Sequence, residues 1–263
     1  MNATGGPGYD REFFERYQQS ALRHGAKSSA DVMVPLVVQL LAPQSVVDVG
    51  CGTGTWLKAF EAQGLSDFLG LDGDYVGEDA LEIAADRFIS ADLRAGVSLN
   101  RRFDLAVSLE VAEHLPPESA AEFVASLTRL APVVMFSAAI PHQGGIGHVN
   151  EQWPEYWQEL FARSGFLAVD CIRPKVWENQ NVRVWYAQNT LLFVDRAHLE
   201  TQPELKREYE CTRDRPLAVV HPTLFHRGLR PWSHLEQLQR SKDRGIVTEE
   251  EFQAKKAEIL SRL

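Results

Sequence analysis

The sequence predicts an α/β protein with a mostly parallel sheet of seven strands. Seven short apolar runs fall between residues 45 and 195, and most are separated by segments with helical periodicity. Short apolar strands that alternate with helices are typical of a parallel sheet covered by helices on both faces. The last two apolar runs have no helical segment between them, which predicts one antiparallel strand at the sheet edge.

The individual elements follow from spacing and from breaker residues. Residues 9–41 repeat apolar side chains at helical intervals, and residues 45–49 form a buried run that ends in glycines. The further predicted helices cover residues 56–62, 78–86, 118–130 and 151–164. The predicted strands cover residues 45–49, 67–72, 87–90, 103–108, 132–138, 166–172 and 189–195.

The alternation stops after residue 196, and the last residues predict a small helical hairpin. A short helix carrying Leu235 and Leu238 should end near Gly245, a natural residue for a helix C-terminus. Thr248 and Glu251 then have the spacing of a capping box. We therefore divide the chain into an N-terminal helical segment 1–42, a sheet domain 43–196, a linker or extension 197–230 and a C-terminal hairpin 231–263.

Composition excludes several classes of protein. The formal net charge is −9 and there is no long basic run, so bulk binding to nucleic acid is not expected. No segment approaches the roughly 18 apolar residues that a membrane helix needs. The three cysteines form no CxxC pair, which argues against a disulfide framework and a zinc ribbon. A reduced cytoplasm is the predicted location.

The stretch "VVDVGCGTGTWLKAF" joins the first strand to a helix through three glycines. Gly50, Gly52 and Gly54 let the backbone turn tightly and approach a ligand closely. A strand, a glycine turn and a helix are the setting of a nucleotide site. The dinucleotide fingerprint fails because Thr55 occupies its last position. A tight turn without a ligand is the alternative reading of this loop.

The stretch resembles motif I of class I S-adenosylmethionine-dependent methyltransferases, and the resemblance runs from about Val46 to Val194. "FLGLDGDYV" places Asp72 22 residues after Gly50, where the family's acid holds both ribose hydroxyls. "FISADL" places Asp92 where the family contacts the adenine. The resemblance implies a Rossmann-like fold, an N-terminal helical lid and S-adenosylmethionine as cofactor. The implied cofactor-binding residues are Asp48, Gly50, Cys51, Gly52, Gly54, Asp72, Gly73, Asp92, Leu93 and Leu109.

"SLEVAEHLPPES" contains Glu110, Glu113 and His114, spaced to share one face of a helical turn. With the later His148 they resemble the metal site of small-RNA 2′-O-methyltransferases, and the Glu-x-x-Glu-His part also resembles ubiquinone-pathway O-methyltransferases. The resemblance implies a divalent ion on these four side chains; ligand type alone does not choose among Mg²⁺, Mn²⁺, Fe²⁺ and Zn²⁺. The catalytic candidates are His148, Glu110 and His142.

Alternatives stay open at this site. Acidic residues early in a helix are favoured by its dipole without any bound ion. The histidine of this motif also occurs in metal-free relatives as structure. His148 is alternatively a metal-free general base, with His142 as its rival.

The predicted function is O-methylation of a small polyhydroxylated molecule, a sugar, a glycoside or a phenolic natural product, in a bacterial cytoplasm. Aromatic and amide side chains in "RPKVWENQNVRVWYAQNTLLF", such as Trp177, Trp185 and Tyr186, suit such an acceptor, or else pack in the core. An RNA ribose 2′-O-methyltransferase, a nucleotide-dependent oxidoreductase and a non-catalytic cofactor-binding scaffold are the alternatives. The C-terminal hairpin resembles short oligomerisation modules, which predicts a homo-oligomer.

Overall fold

The computed structural model describes residues 21–145, 147–228, 235, 238–239, 241–243 and 247–260. The chain divides into two units, Met1–Val219 and Val220–Leu263, and each is described by itself. Unit 1 contains all seven strands: β1 Ser45–Val49, β2 Asp67–Asp72, β3 Phe88–Ser90, β4 Leu105–Leu109, β5 Val133–Ser137, β6 Phe166–Val169 and β7 Leu191–Asp195. Its helices are α1 Ala21–Leu41, α2 Thr55–Ala62, α3 Ala120–Leu130, α4 Pro154–Arg163, α5 Arg173–Val176, α6 Val184–Asn189, α7 Arg196–Glu200 and α8 Pro203–Thr212.

The strands form one sheet in the order β3-β2-β1-β4-β5-β7-β6. The first five strands in this order are parallel to one another. β7 runs antiparallel to both β5 and β6, so the pairing at this edge of the sheet is antiparallel. The predicted α/β fold class is confirmed, and the reversed strand lies one place in from the edge. The strand order changes direction between β1 and β4, and ligands of such sheets bind beyond the carboxyl ends of the strands at this point.

Alternate residues of each central strand supply two separate cores. Val46 of β1 packs with Met33 of α1 and Phe60 of α2 on one face of the sheet. Val47 packs with Phe123 of α3 and Phe161 of α4 on the other face. Because successive strand residues point to opposite faces, an uninterrupted apolar run is what a sheet covered on both sides requires.

The predicted helix at 78–86 is wrong. The segment forms only two short 3₁₀ turns, Glu78–Ala80 and Ala85–Arg87. Between them the amide of Glu82 donates to the carbonyl of Thr53, and its carboxylate accepts hydrogen bonds from the Thr53 and Thr55 hydroxyls at 3.1 and 2.6 Å. These bonds to the glycine loop replace the bonds that a continuous helix would make.

The expectation that no helix separates the last two strands is also wrong. Strand β6 ends at Val169, three residues before the predicted end at residue 172, and α5 and α6 follow it. The buried guanidinium of Arg173, at the start of α5, pairs with Asp170 at 2.6 Å. This ion pair turns the chain out of the sheet directly after the strand.

Residues 197–230, for which no elements are predicted, contain most of α7, then α8, and α9 Pro222–Gly228. In unit 2, residues 235, 238–239 and 241–243 are helical, and α10 covers Glu249–Leu260. The predicted capping box is present, because the Thr248 hydroxyl accepts from the Glu251 amide and Glu251 accepts from the Thr248 amide. Gly245 and residues 9–20 of the predicted first helix lie outside the described residues. Across the described parts of both units, no helix is long and apolar enough to cross a membrane.

Candidate active site

The glycine loop folds over the carboxyl end of β2. Gly50, Gly52 and Gly54 all have positive φ, at 86°, 54° and 86°. The amide of Gly52 donates to Asp72 Oδ2 at 2.6 Å, and the amide of Gly73 donates to Asp72 Oδ1 at 2.7 Å. The loop is therefore hydrogen-bonded to Asp72, the carboxylate to which the family resemblance gives the ribose-binding role.

Two aspartates are buried behind this loop. Burial raises the pKa of Asp48 well above its ordinary value, and the neighbouring Asp72 raises it further. Burial also raises the pKa of Asp72, although hydrogen bonds from the Tyr75 hydroxyl and from the Gly52 and Gly73 amides oppose the rise. These three donors favour the charged form of Asp72 against the effect of burial.

The other predicted cofactor residues differ in exposure. Asp92 lies two residues after β3, and about half of its side chain is exposed. It forms a bidentate ion pair with Arg94. Arg94 lowers the pKa of Asp92. Cys51, Leu93 and Leu109 are buried. The contact of Asp92 with adenine stays a prediction.

Glu110 lies directly after β4 and is held by amides. Its amide donates to the carbonyl of Ser137 at 3.0 Å, and its φ is 57°. Gln143 donates to one carboxylate oxygen at 2.9 Å and Asn189 donates to the other at 3.1 Å. Burial raises the pKa of Glu110, and these two donors oppose the rise.

The expected shared helical face of Glu110, Glu113 and His114 is wrong. Only Ala112–His114 forms a turn, and it is a 3₁₀ turn. The left-handed backbone at Glu110 breaks any helix before it starts. The tertiary structure, and not helical spacing, therefore decides which of these side chains come together.

Glu113, His114 and His148 do converge: one ligand atom of each lies within 4.8 Å of those of the other two. The Glu113 side chain is fully buried, and neither of its oxygens has a hydrogen-bond partner among the described residues. Burial and the nearby Glu110 raise the pKa of Glu113 well above its ordinary value. The rings of His114 and His148 meet edge to face at 4.8 Å.

Burial lowers the pKa of His114 to about 4, and the neighbouring His148 contributes to the shift. The ring of His114 is therefore neutral at physiological pH, and its Nδ1 lies 3.3 Å from the carbonyl of Gly147. A neutral imidazole that donates through Nδ1 keeps a lone pair on Nε2. His142, the other catalytic candidate, is exposed and is not part of the group of three.

Two polar residues at the site, Gln143 and Glu151, escaped the sequence reasoning, whereas Asn189 belongs to the amide-rich stretch expected on the acceptor side. Gln143 and Asn189 hold Glu110, and Glu151 contacts His148 Nδ1 at 2.8 Å. Gln143 and Glu151 lie in the same segment as the two candidate histidines, and that proximity is the only local signal for them. Asn189 is 79 positions from Glu110, and no local pattern connects them.

The aromatic residues proposed for the acceptor side differ in burial. Tyr186 is buried, and its ring packs edge-on against Trp56 at 5.1 Å. Trp185 is partly buried against the same core. Trp153, just before α4, is 41% exposed next to the histidine segment.

Comparison with known proteins gives the following. A family model described as a methyltransferase domain matches residues 14–171. The sugar N-methyltransferase KedS8 from a Streptoalloteichus species has a similar structure, with a TM-score of 0.54, 16% identity, and coverage of 74% of this chain and 96% of that one. The plantazolicin methyltransferase BpumL gives a TM-score of 0.51, 17% identity, and coverage of 71% and 91%. No curated protein sequence matches significantly. At these identities the two structures share the fold with this chain.

Proposed function

The chain belongs to the methyltransferase-domain family, and from this premise we propose that it methylates a hydroxyl oxygen of a small polyhydroxylated acceptor. The chain is an S-adenosylmethionine-dependent methyltransferase, as its family is. The proposal concerns the acceptor atom and its class, a sugar, a glycoside or a phenolic natural product.

The observation that carries the proposal is the convergence of Glu113, His114 and His148, with Glu110 beside them. Glu110, Glu113 and His114 follow β4, the neighbour of β1 and its glycine loop, and His148 lies beyond β5, the next strand in the sheet. A hydroxyl must lose its proton to attack a methyl group, so an oxygen acceptor needs basic or metal-binding side chains at this place. The buried carboxylates and neutral imidazole supply such groups.

In the proposed reaction the acceptor oxygen attacks the methyl carbon in line with the sulfur. A carbon–oxygen bond forms, the carbon–sulfur bond breaks, and the sulfonium becomes the neutral thioether of S-adenosylhomocysteine. The hydroxyl proton passes to the Glu110 carboxylate, which Gln143 and Asn189 hold in place. The glycine loop and Asp72 orient the methyl donor. Because the sulfonium is already activated, this positioning contributes most of the rate enhancement.

The side chains of Glu113, His114 and His148 are of the types, and lie at the separations, that a divalent metal ion requires. A buried carboxylate without a partner is costly, and two imidazoles and this carboxylate are a common ligand set for Mn²⁺, Fe²⁺ or Zn²⁺. Glu113, His114 and His148 would hold the ion, and Glu110, predicted as a fourth ligand, is engaged by amides instead. A bound ion would lower the pKa of an acceptor hydroxyl.

The test is transfer of a labelled methyl group to a panel of acceptors. The panel contains sugars, glycosides, catechols, an amino sugar and a short RNA with a free terminal ribose. We expect transfer to a hydroxyl of one of the first three classes. Transfer only to the amino sugar would make the enzyme an N-methyltransferase, and transfer only to RNA would support the ribose alternative. S-adenosylhomocysteine binding without any transfer would support a scaffold.

The metal is tested separately with the acceptor that this panel identifies. We expect EDTA to abolish transfer and Mn²⁺ to restore it, whereas S-adenosylhomocysteine affinity stays unchanged. Full activity in EDTA would remove the metal from the proposal. The proton would then pass to Glu110 without help from an ion, and His148 and His142 would be the rival general bases.

We also propose the compartment and the assembly in which the enzyme works. Cys51, Cys171 and Cys211 are all free thiols, which supports a reducing compartment such as a bacterial cytoplasm. We propose a homo-oligomer formed through the hairpin at 231–263, and no stable association with nucleic acid or membrane.

A further inference from the structure

We propose that Glu151 is a positioning residue that fixes the tautomer of His148. Glu151 Oε1 lies 2.8 Å from His148 Nδ1, and the two side chains are 20% and 12% exposed. This role rests on the proposed function, which makes His148 a metal ligand or a general base. The contact between Glu151 and His148 does not depend on that function.

The carboxylate of Glu151 determines which ring nitrogen of His148 carries the proton. An ionised carboxylate only accepts hydrogen bonds, so Nδ1 of His148 must be the donor. The neutral ring then keeps its lone pair on Nε2. His148 thus matches His114, whose Nδ1 faces the carbonyl of Gly147 at 3.3 Å, another group that only accepts. Both rings present Nε2 as the basic nitrogen, which is the form that binds a metal or takes a proton.

Glu151 also shapes the backbone that carries His148. Its Oε2 accepts from the amide of His142 at 2.8 Å, and its Oε1 accepts from the amide of Gly144 at 2.9 Å. His142 and Gly144 both have positive φ, at 69° and 72°. A left-handed backbone is energetically unfavourable at a residue other than glycine, as at His142. The carboxylate stabilises this costly turn and the imidazole orientation with the same two oxygens.

Gly145 completes the arrangement. A Cβ atom added there would lie 2.1 Å from Nε2 of His148, so the ring occupies the space that any other residue would fill. The imidazole is therefore fixed on two sides, by Glu151 at Nδ1 and by the bare Cα of Gly145 near Nε2. A side chain held in this way is suited to a task that requires one orientation.

The decisive measurement is nitrogen NMR of the protein labelled on histidine, in EDTA, without cofactor or acceptor. It is made at about pH 8.5, two units above the ordinary pKa of imidazole near 6.5. The His148 signals are assigned by their loss in His148→Gln. We expect a protonated Nδ1 and an unprotonated Nε2. A protonated Nε2, alone or together with Nδ1, would overturn the proposal, and this result needs no Glu151 variant to fold.

The second measurement compares Glu151→Ala with Glu159→Ala, which removes an exposed carboxylate from the helix that follows. In Glu151→Ala we expect the His148 signals to move to those of mixed tautomers, and Mn²⁺ affinity to fall about 10-fold or more. S-adenosylhomocysteine affinity should stay unchanged in both variants. Unchanged His148 signals in Glu151→Ala would contradict the assignment.

The failure of this proposal is distinguishable from the failure of the proposed function. If the wild type binds no Mn²⁺ and methylates no hydroxyl, the proposed function fails, and the NMR experiment still decides the tautomer. If hydroxyl transfer is found while His148 carries its proton on Nε2, the function stands and the role of Glu151 is wrong.

Discussion

At the scale of single residues, Glu113 is expected to lower the stability of the fold while lying among the potential metal ligands. Its carboxyl is fully buried and has no hydrogen-bond partner among the described residues. Folding alone would favour an apolar or a partnered side chain at such a position. A residue that costs stability and still occupies a cluster of potential ligands is typical of a functional site.

We therefore predict that Glu113→Gln stabilises the metal-free protein. Burial raises the folded-state pKa of Glu113 above its ordinary value of 4.5. Above pH 4.5 the carboxyl ionises in the unfolded chain but stays protonated in the folded chain up to its raised pKa. The free energy of unfolding of the wild type therefore falls as pH rises. The variant escapes the loss and should be more stable by about 1–3 kcal/mol at pH 7, with no difference below pH 4.

Urea unfolding in EDTA at several pH values measures this difference. Glu118→Gln, which changes an exposed carboxylate five residues after Glu113, is the control. A lower stability of Glu113→Gln at pH 7 would show that the carboxyl has a partner in solution.

Asp72 is the residue on which cofactor binding should depend most. It accepts from two backbone amides and from the Tyr75 hydroxyl, which shows that donors can reach both of its oxygens. Asp72→Ala should weaken S-adenosylhomocysteine binding at least 100-fold, because two hydrogen bonds to a charged group contribute about 1.5–3 kcal/mol each. Asp74→Ala, two positions away and exposed, should bind normally in the same calorimetric titration.

Tyr75 affects the same site in the opposite direction. Its hydroxyl donates to Asp72 Oδ1, an oxygen that a ribose hydroxyl would use. Tyr75→Phe keeps the ring and removes the competing donor, so affinity for S-adenosylhomocysteine should rise roughly two- to tenfold. A weaker affinity in calorimetry would mean that the hydroxyl serves the bound cofactor instead.

At the scale of elements, the site is built from four chain segments that meet beside the glycine loop. The loop after β1 supplies Gly52, the last residue of β2 is Asp72, and the loops after β4 and β5 supply Glu110 and His148. The loop after β1 also touches the loop after β4, because Val111 packs directly on the Cα of Gly50. Glycines in this loop therefore have two different tasks, packing and access.

Alanine at two of these glycines should separate the tasks. A Cβ at Gly50 would lie 2.4 Å from Val111, whereas a Cβ at Gly52 would meet nothing within 4 Å. Both have positive φ, which costs alanine about 1–2 kcal/mol. Gly50→Ala should lose about 1–3 kcal/mol more than Gly52→Ala in denaturant unfolding, because the extra methyl overpacks the contact.

Gly52→Ala should instead lose affinity for S-adenosylhomocysteine, since the space above the loop is where the family resemblance places the cofactor. Equal stability of the two variants would mean that Val111 moves away at little cost. Normal cofactor affinity in Gly52→Ala would place the ligand elsewhere.

At the scale of the whole molecule, unit 1 holds the complete sheet and every candidate site residue. Its last residues are anchored, because Arg173 donates to the carbonyl of Leu217 at 2.8 Å and Glu155 accepts from the amide of Ala218 at 2.9 Å. Leu217 is buried in the core on the α4 side of the sheet. The fold of unit 1 thus requires the chain up to this point.

Two truncations test this boundary. A chain ending at Val219 should keep the unfolding temperature of unit 1 and its affinity for S-adenosylhomocysteine. A chain ending at Arg215 should lose about 2–4 kcal/mol of stability, because it gives up a buried leucine and leaves Arg173 short of an acceptor. Light scattering on the first truncation, beside the full chain, tests the proposed oligomer, which should dissociate without the hairpin.

The sequence by itself determined the elements whose signals are local. The run at Ser45–Val49, the helix at Thr55–Ala62 and the capping box at Thr248 were all predictable, because apolar period and capping chemistry act within a few residues. The glycine loop followed by Asp72 likewise identified the methyltransferase family before any contact was known.

Only the tertiary structure decided how the site is assembled. It replaced the helical face at Glu110–His114 with a left-handed residue and a 3₁₀ turn, and it brought His148 to Glu113. It also placed Asn189 on Glu110 and inserted β7 between β5 and β6. Hydrogen bonds between residues far apart in the chain leave no periodic trace in the sequence, because their geometry depends on how the whole sheet is wound.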